Sequence, residues 1–190
     1  MARPKSEDKR QAIIAAAIGI FAAQGLGAAT AKIARQAGVS EGTLFNYFPN
    51  KDQLLNELYL ALKAELSDVM LPGYPDSQDL RSKAFHIWQR YTGWGVAQPD
   101  KRKAMALLAL SDRVNQDTRS QAMAAFADIN GVIVKSVDVG LLCGPVPDFA
   151  AAIMGALAET TMDFIQREPD KAEFYTKLGF AVFWKAISND

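Results

Sequence analysis

The most regular feature of the chain is the spacing of its hydrophobic residues, which recur every three or four positions along nearly the whole length. This is the period of an amphipathic α-helix, whereas the alternation typical of a half-buried β-strand never persists beyond a few residues. Glycine and proline separate the helical segments, as at Gly38 and Pro49. The pattern predicts an all-α fold of nine helices, at residues 7–24, 31–37, 41–48, 51–70, 78–97, 100–112, 115–139, 147–167 and 170–188.

The predicted helices fall into two groups. Three helices come first, and the long helix at 51–70 follows them and ends at the break Pro72-Gly73-Tyr74-Pro75, a module boundary. We expect two domains, an N-terminal head of residues 1–52 and a C-terminal body of residues 53–190, connected by helix 51–70. A chain of 190 residues is long enough to bury a sizeable core without disulfides.

The two short helices of the head carry the spacing of a helix-turn-helix. When Thr30 is counted as position 1 and as the N-cap of its helix, position 5 is Ala34 and position 9 is Gly38. A small residue at position 5 lets the second helix cross closely, and a glycine at position 9 permits the sharp turn. Apolar residues such as Ile33 and Leu44 hold the pair together. The alternative is an ordinary corner between two helices.

Charge is distributed unevenly, although the net charge of the whole chain is zero. Residues 1–51 hold seven Lys/Arg and three acidic residues, whereas the remaining residues hold 14 and 18. A basic head on an acidic body is expected if only the head meets a polyanion such as DNA. Chance clustering of charge is the alternative explanation.

Several classes of protein are disfavoured by what the sequence lacks. Its single cysteine, Cys143, excludes an intramolecular disulfide framework and the multi-cysteine zinc sites. There is no HExxH, P-loop, GxGxxG or GxSxG motif, so we expect no enzyme, no cofactor and no metal. The charged N-terminus lacks the apolar core of a signal peptide, and no apolar run approaches the ~18 residues of a membrane span. We therefore expect a cytoplasmic protein with no membrane partner.

Three stretches carry a family resemblance. MARPKSEDKR precedes the first helix, TAKIARQAGVSEGTLFNYFPNKDQLL spans the two short helices, and an all-helical remainder follows. Together they resemble the TetR family of transcriptional regulators, and SEGTLF and LAETTMDF are similar to the RamR-like regulators of efflux genes. The resemblance implies a homodimer whose subunits each place one short helix in the DNA major groove. The half-sites of its palindromic operator would then lie about 34–36 Å apart.

The resemblance also implies which residues contact DNA. Thr43 is expected to reach a thymine methyl or a base edge and Asn46 to pair with adenine, whereas Tyr47 is expected to bind phosphate or to pack. Phe45 and Phe48 are expected in the core. The predicted DNA-binding residues are Thr30, Lys32, Ser40, Glu41, Gly42, Thr43, Asn46, Tyr47 and Lys51, of which Thr30, Lys32 and Lys51 would bind the phosphate backbone.

Glu41 is unexpected at the start of a helix that reads DNA, because a carboxylate cannot bind phosphate. Two explanations remain open. The carboxylate would accept a hydrogen bond from a cytosine amino group and so add specificity. Alternatively, it is stabilised by the positive end of the helix macrodipole and has no role in recognition.

The body is rich in aromatic and soft side chains. Phe85, Trp88 and Tyr91 follow at i, i+3 spacing and share one helix face, which would suit a planar, apolar, even cationic ligand. An ordinary helical core is the alternative for each residue. By the resemblance, bodies of this family hold a small-molecule pocket, and the predicted lining is Tyr59, Met70, Trp88, Tyr91, Ser136 and Met154.

The last two predicted helices are apolar on more than one face, which requires packing partners on both sides. A two-fold contact between two copies of the chain would supply the second partner, and a head that reads a palindrome requires the same symmetry. The predicted dimer interface consists of Phe149, Ile153, Leu157, Phe164, Phe180, Phe183, Trp184 and Ile187.

These observations leave three functional hypotheses. The first is a repressor that binds a palindromic operator as a homodimer and is released by a hydrophobic or aromatic small molecule. The second is a regulator of the same fold that activates, or that is controlled by a protein partner. The third is a helical small-molecule-binding protein with no role on DNA. Salt-dependent binding to a palindromic duplex separates the third hypothesis from the other two.

Overall fold

Local sequence signals determine where the helices begin and end in the computed structural model, which describes residues 4–76, 79–124, 126 and 147–188. Within these ranges the chain is all-α, as predicted, and no strand is present. The helices are α1 (Pro4–Gln24), α2 (Thr30–Gln36), α3 (Glu41–Tyr47), α4 (Lys51–Met70), α5 (Leu80–Ala97), α6 (Pro99–Ala109), α7 (Gln116–Ala124), α8 (Pro147–Arg167) and α9 (Ala172–Ile187).

Asparagine side chains cap two of these helices. The Oδ1 atom of Asn50 accepts a hydrogen bond of 2.8 Å from the backbone N–H of Gln53 at the start of α4. Asn115 accepts one of the same length from the N–H of Thr118 at the start of α7. Each cap satisfies a backbone donor that has no partner inside its own helix, which sets the first residue of the helix.

Several helix ends differ from the sequence-based prediction by one to three residues, including the start of α1 at Pro4 instead of residue 7, and for two of the ends the cause is visible. Helix α6 ends at Ala109 instead of residue 112, because the chain continues in tight turns in which Ser111 N–H donates to Leu108 O at 3.1 Å. Helix α9 begins at Ala172, two residues later than predicted, because a 3-10 turn at Pro169–Lys171 precedes it. Both differences are local and leave the predicted order of helices intact.

The chain divides by packing into two compact units. The first comprises residues 1–64 and 98–123, and the second comprises residues 65–97 and 124–190. In the first unit α2 packs against α1 and α3, and α6 packs along α1. Helix α6 thus packs with the helices of the head, which the sequence did not indicate. The boundary predicted at residue 52 separates functions, whereas these units are defined by packing, so that boundary stays a prediction.

Asn56 joins distant parts of the first unit. Its side-chain amide donates to Asp52 O at 2.7 Å and to Arg113 O at 2.9 Å, and its carbonyl accepts from Asn115 N–H at 3.0 Å. The residue is buried, so three hydrogen bonds satisfy an amide group that would otherwise be costly to desolvate. Helix α4 is therefore tied to the loop between α6 and α7.

The core of the second unit is aromatic. Helix α5 packs against α8 and α9, and Trp88 of α5 is fully buried there. Its indole N–H donates to Thr176 O at 2.9 Å, and its ring stacks on Phe183 with the centroids 5.8 Å apart. Phe180 also packs edge-on against Phe85, with centroids 4.9 Å apart. These contacts determine which face of α9 points into the protein.

Candidate nucleic-acid interface

Helices α2 and α3 form a helix-turn-helix around a small apolar centre. Ile33 and Ala34 of α2 and Leu44 of α3 are buried. Gly38 adopts a φ of +69°, a backbone conformation that costs glycine little, and the chain turns sharply there. Because α3 buries the side that carries Leu44, its opposite side is exposed and presents Glu41, Gly42, Phe45 and Asn46.

Ser40 sets the first turn of α3. Its Oγ atom accepts a hydrogen bond from Thr43 N–H at 3.1 Å and lies 2.8 Å from the Thr43 hydroxyl. Ser40 is the N-cap of α3, a position that serine favours. The Thr43 hydroxyl is therefore oriented towards the start of its own helix, and Thr43 is half-buried. Thr43 could contact a base, as predicted, in one of two ways. Either its methyl group makes the contact, or its hydroxyl gives up the hydrogen bond to Ser40 and bonds to the base instead.

Glu41 and Thr30 contact each other. The Thr30 hydroxyl donates a hydrogen bond of 2.6 Å to Oε1 of Glu41 and so links the first turns of α2 and α3. The prediction that Thr30 caps its own helix is wrong, since Ala29 occupies the cap position and provides no side-chain hydrogen bond. Thr30 and Glu41 were each predicted to face DNA separately, whereas the structure joins them in one polar pair.

Lys51 is held by the protein. Its ammonium group donates to Ala28 O at 2.6 Å and lies 5.9 Å from the centre of the Phe21 ring. Partial burial lowers the pKa of Lys51, and the nearby Arg113 lowers that pKa further. Lys51 therefore ties the start of α4 to the loop between α1 and α2. Its predicted phosphate contact would add to this structural role.

The remaining predicted DNA contacts differ in accessibility. Lys32 is exposed, with its ammonium group donating to Gln24 Oε1 at 2.6 Å. Asn46 is exposed, and its amide makes no hydrogen bond to the described residues. Tyr47 is half-buried. Asn46 and Lys32 are thus accessible, and Tyr47 less so.

The two phenylalanines of this region have different environments. Phe48 is fully buried as predicted, and the Arg10 guanidinium lies 5.5 Å from the centre of its ring. Phe45 was also predicted to be in the core, and that prediction is wrong, since its side chain is 38% exposed. The sequence signal that was missed is the helical spacing. Phe45 lies three residues after Gly42 and therefore on the side opposite the buried one.

The residues predicted to line a ligand pocket are mostly buried. Tyr59 belongs to the first unit; Met70, Trp88 and Met154 belong to the second, and all four are buried. Tyr91 is half-buried, and Ser136 lies outside the described residues. The indole N–H of Trp88 already donates its hydrogen bond to Thr176 O. Burial raises the pKa of the Tyr59 phenol, which lies beneath the Lys63 ammonium at 5.7 Å.

One cavity of the second unit has a volume of about 400 Å³ and opens between α5 and α9. It is lined by Phe85, Gln89 and Thr92 on α5 and by Thr176 and Lys177 on α9, with further residues around them. Phe85 belongs to the aromatic face predicted from the sequence, but none of the five predicted pocket residues within the described ranges lines this cavity.

The predicted dimer interface is half exposed and half buried. On α8, Phe149 and Phe164 are exposed, and Ile153 and Leu157 are half-buried. On α9 the prediction needs correction. The four residues Phe180, Phe183, Trp184 and Ile187 are at most 5% exposed within a single protomer, and the exposed apolar residues are Phe174, Leu178 and Val182.

The physical reason for this correction is that α9 is apolar around most of its surface. The sequence alone therefore did not show which side packs against α5 and α8.

No cluster of three or more potential metal ligands of the His, Cys, Asp and Glu types occurs among the described residues. In the same part of the chain, none of the helices combines the length and apolar character that crossing a bilayer requires.

Comparison with known proteins matches this site to a family. Residues 13–58 match the model of bacterial regulatory proteins of the tetR family. The fold is similar to a crystal structure described as a tetR family transcription regulator from Shewanella sp. PV-4. That chain is 32% identical, 96% of this chain and 99% of that chain are covered, and the TM-score is 0.82.

Two more distant structures share the fold. FadR from Bacillus subtilis, in complex with stearoyl-CoA, is 18% identical over 95% of this chain and 99% of its own, with a TM-score of 0.69. NalD, the secondary repressor of the MexAB-OprM multidrug efflux pump in Pseudomonas aeruginosa, is 21% identical over 99% and 100%, with a TM-score of 0.60. The narrower resemblance to RamR-like regulators stays a prediction.

Proposed function

The chain belongs to the TetR family of transcriptional regulators, and on that premise we propose that it is a homodimeric repressor released from a palindromic operator by a hydrophobic small molecule. Each subunit would insert α3 into the major groove, with α2 crossing the backbone. Two symmetric subunits then contact two half-sites about one helical turn, ~34–36 Å, apart.

The observation that carries this proposal is the exposed side of α3. A helix of seven residues does not persist alone in water, so its partners in the protein must hold it in place. Leu44 anchors one side of α3 and Ser40 caps its start, and the opposite side presents Asn46 without a partner among the described residues. An exposed amide on a rigidly held helix suits bidentate pairing with adenine.

Charge supports the same orientation towards DNA. The exposed cations Lys32 and Arg35 lie on α2, and the surplus of positive charge is confined to residues 1–51. The surplus is modest, and Glu41 reduces it further. A modest surplus limits binding to random DNA, which is governed by phosphate contacts, and so favours a regulator that dissociates readily.

Dimerisation is supported by the exposed apolar side chains of the last two helices. Phe174, Leu178 and Val182 recur every four residues along α9 and form one stripe, and Phe164 lies on the neighbouring helix α8. A stripe of this kind is unfavourable in water and is buried when a two-fold axis places two copies of α8 and α9 together. We assign this stripe to the dimer interface in place of the four buried residues of α9.

The effector is proposed to be hydrophobic because of the composition of the second unit. Its core is built from aromatic rings, and the cavity between α5 and α9 combines Phe85 and other apolar residues with a few hydroxyl and amide groups and with the ion pair of Glu173 and Lys177. Apolar walls with few polar groups are typical of small-molecule sites. A relative of the same fold binds stearoyl-CoA, which is consistent with an effector that carries an apolar chain.

The proposal is tested by selecting duplexes bound by the full-length protein from a random pool. We expect a palindromic consensus, binding that weakens steeply with salt, and a two-to-one ratio of subunits to duplex. A panel of apolar compounds, including fatty acyl-CoA thioesters and planar cations, is then screened for release of the selected duplex.

Recovery of no sequence preference would contradict the DNA-binding role. A tight operator complex that no compound weakens would contradict the inducer role alone and favour control by a protein partner.

A further inference from the structure

The exposed side of α3 carries a large apolar group. Among residues 7–64, Phe45 is the one large hydrophobic side chain that is exposed to water. The side chain has no polar group that could hydrogen-bond with water. Its ring makes no contact with another ring or with a cation of the described residues. A single exposed phenylalanine is ordinary on a protein surface, but on the helix proposed to enter the major groove its ring would be buried against DNA, where an apolar partner lowers its free energy.

The neighbours of Phe45 leave its ring accessible. Gly42 lies one turn earlier on the same side of α3 and has no side chain to cover the ring. A Cβ atom at that position would meet nothing nearer than Ser40 Oγ at 4.0 Å. Glu41, one turn earlier on the other flank, is hydrogen-bonded to Thr30 of α2. Phe45 therefore has a bare glycine on one side along α3 and, on the other, a carboxylate already engaged by Thr30.

The partner is identified by the chemistry of the major groove. Of the four bases, only thymine presents an apolar group there, its C5-methyl, whereas the others present hydrogen-bond donors and acceptors. Phenylalanine cannot form hydrogen bonds with those polar groups, and it has no charge that would attract a phosphate. Building on the proposed function, we propose that Phe45 recognises the C5-methyl group of a thymine in each half-site of the operator.

The expected size of the effect follows from burial of one methyl group. Transferring one methylene-sized group from water to an apolar contact changes an equilibrium constant about four-fold. Two symmetric half-sites then give about fifteen-fold for the whole operator. This preference for thymine through Phe45 is separate from the proposed pairing of Asn46 with adenine, and it would act at a different base pair.

The experiment replaces each thymine of the selected operator by deoxyuridine, which removes only the C5-methyl group. Binding is measured for the full-length wild-type protein and for the Phe45→Ala, Phe45→Leu and Asn46→Ala variants. We expect one symmetry-related pair of thymines at which replacement by deoxyuridine lowers the operator affinity of the wild type about fifteen-fold. The same replacement should leave the affinity of Phe45→Ala unchanged. Phe45→Leu and the control Asn46→Ala should keep most of the sensitivity to the methyl group.

Equal sensitivity of wild type and Phe45→Ala at every thymine would overturn the inference. So would an operator on which no single deoxyuridine weakens the wild type, even though the proposed function would then still stand. Failure of the random pool to yield any operator overturns the proposed function and this inference together. Circular dichroism of each variant verifies folding, which an exposed side chain should leave intact.

Discussion

At the scale of single residues, the polar pair of Thr30 and Glu41 changes how the reading surface is understood. The carboxylate that begins α3 is held by a hydroxyl 11 positions earlier in the chain, at 2.6 Å. Glu41 therefore has a structural function in addition to its favourable position at a helix N-terminus. Its charge still lies on the exposed side of α3, which faces the phosphate groups in the proposed complex.

We expect Glu41→Gln to strengthen binding to random DNA about three- to five-fold at low salt, because one repulsive charge per subunit is removed. The amide oxygen still accepts the hydrogen bond from Thr30, so thermal stability should be unchanged. Glu41→Ala removes the bond as well and should lower the free energy of unfolding by roughly 0.5–1 kcal/mol. Unchanged affinity for random duplexes in both variants would mean that the carboxylate does not face the DNA backbone.

Asn46 and Lys32 are predicted to differ in the kind of contact they make. Asn46→Ala should cost about 1–3 kcal/mol on the operator and relax one base position. Lys32→Ala should weaken operator and random DNA alike and lower the salt slope by about one unit per subunit. Filter binding on both duplexes at several salt concentrations distinguishes the two. An equal loss on both duplexes for Asn46→Ala would rule out its role as a base reader.

At the scale of helices, the close crossing of α9 with α8 and α5 determines the packing of the second unit. Gly179 lies at that crossing. A Cβ atom there would lie 2.2 Å from Thr161 Oγ1 and 2.8 Å from Cζ2 of Trp88. The Thr161 hydroxyl donates to Leu157 O at 2.8 Å, and Trp88 is held by Thr176 and Phe183, so neither side chain moves away freely.

Gly179→Ala should therefore lower the free energy of unfolding by about 1–3 kcal/mol, the usual cost of overpacking a core. Gly93→Ala in α5 is the matched control, because an added Cβ there meets nothing within 4 Å. That control should raise the free energy of unfolding by about 0.5–1 kcal/mol through helix propensity. Thermal and urea unfolding measure both variants, and shifts of the same sign would show that the crossing is looser than described.

At the scale of the whole molecule, the apolar surface left by folding indicates assembly. Leu178 and Val182 are each 48% exposed and Phe174 is 59% exposed, all on one stripe of α9. An isolated exposed leucine, by contrast, is ordinary for a protein surface. Leu110 is 88% exposed but lies outside this stripe, so a substitution there is a control for substitutions within the stripe.

We expect Leu178→Asp to produce monomers in analytical ultracentrifugation, because it places two carboxylates in an apolar two-fold contact. Leu110→Asp should leave the sedimentation coefficient unchanged. The monomeric variant should also lose operator affinity far more than affinity for a single half-site. Retention of the dimer by Leu178→Asp would exclude this stripe as the interface.

The sequence alone determined the features that depend on neighbours along the chain. Helical period, caps such as Ser40 and the turn at Gly38 involve residues within a few positions of one another, so the order of helices and the helix-turn-helix were predictable. For the same reason, Asn46 could be placed on the reading helix without a structure.

Only the tertiary structure decided which side of a helix is buried where apolar residues occur on more than one side. Helix α9 is apolar around most of its surface, and contacts with Trp88 and Phe85 of α5 select the side that faces inwards. Similarly, the Lys51 ammonium group donates to Ala28 O, 23 positions away in the chain. Such contacts join residues far apart in the chain, and local periodicity carries no information about them.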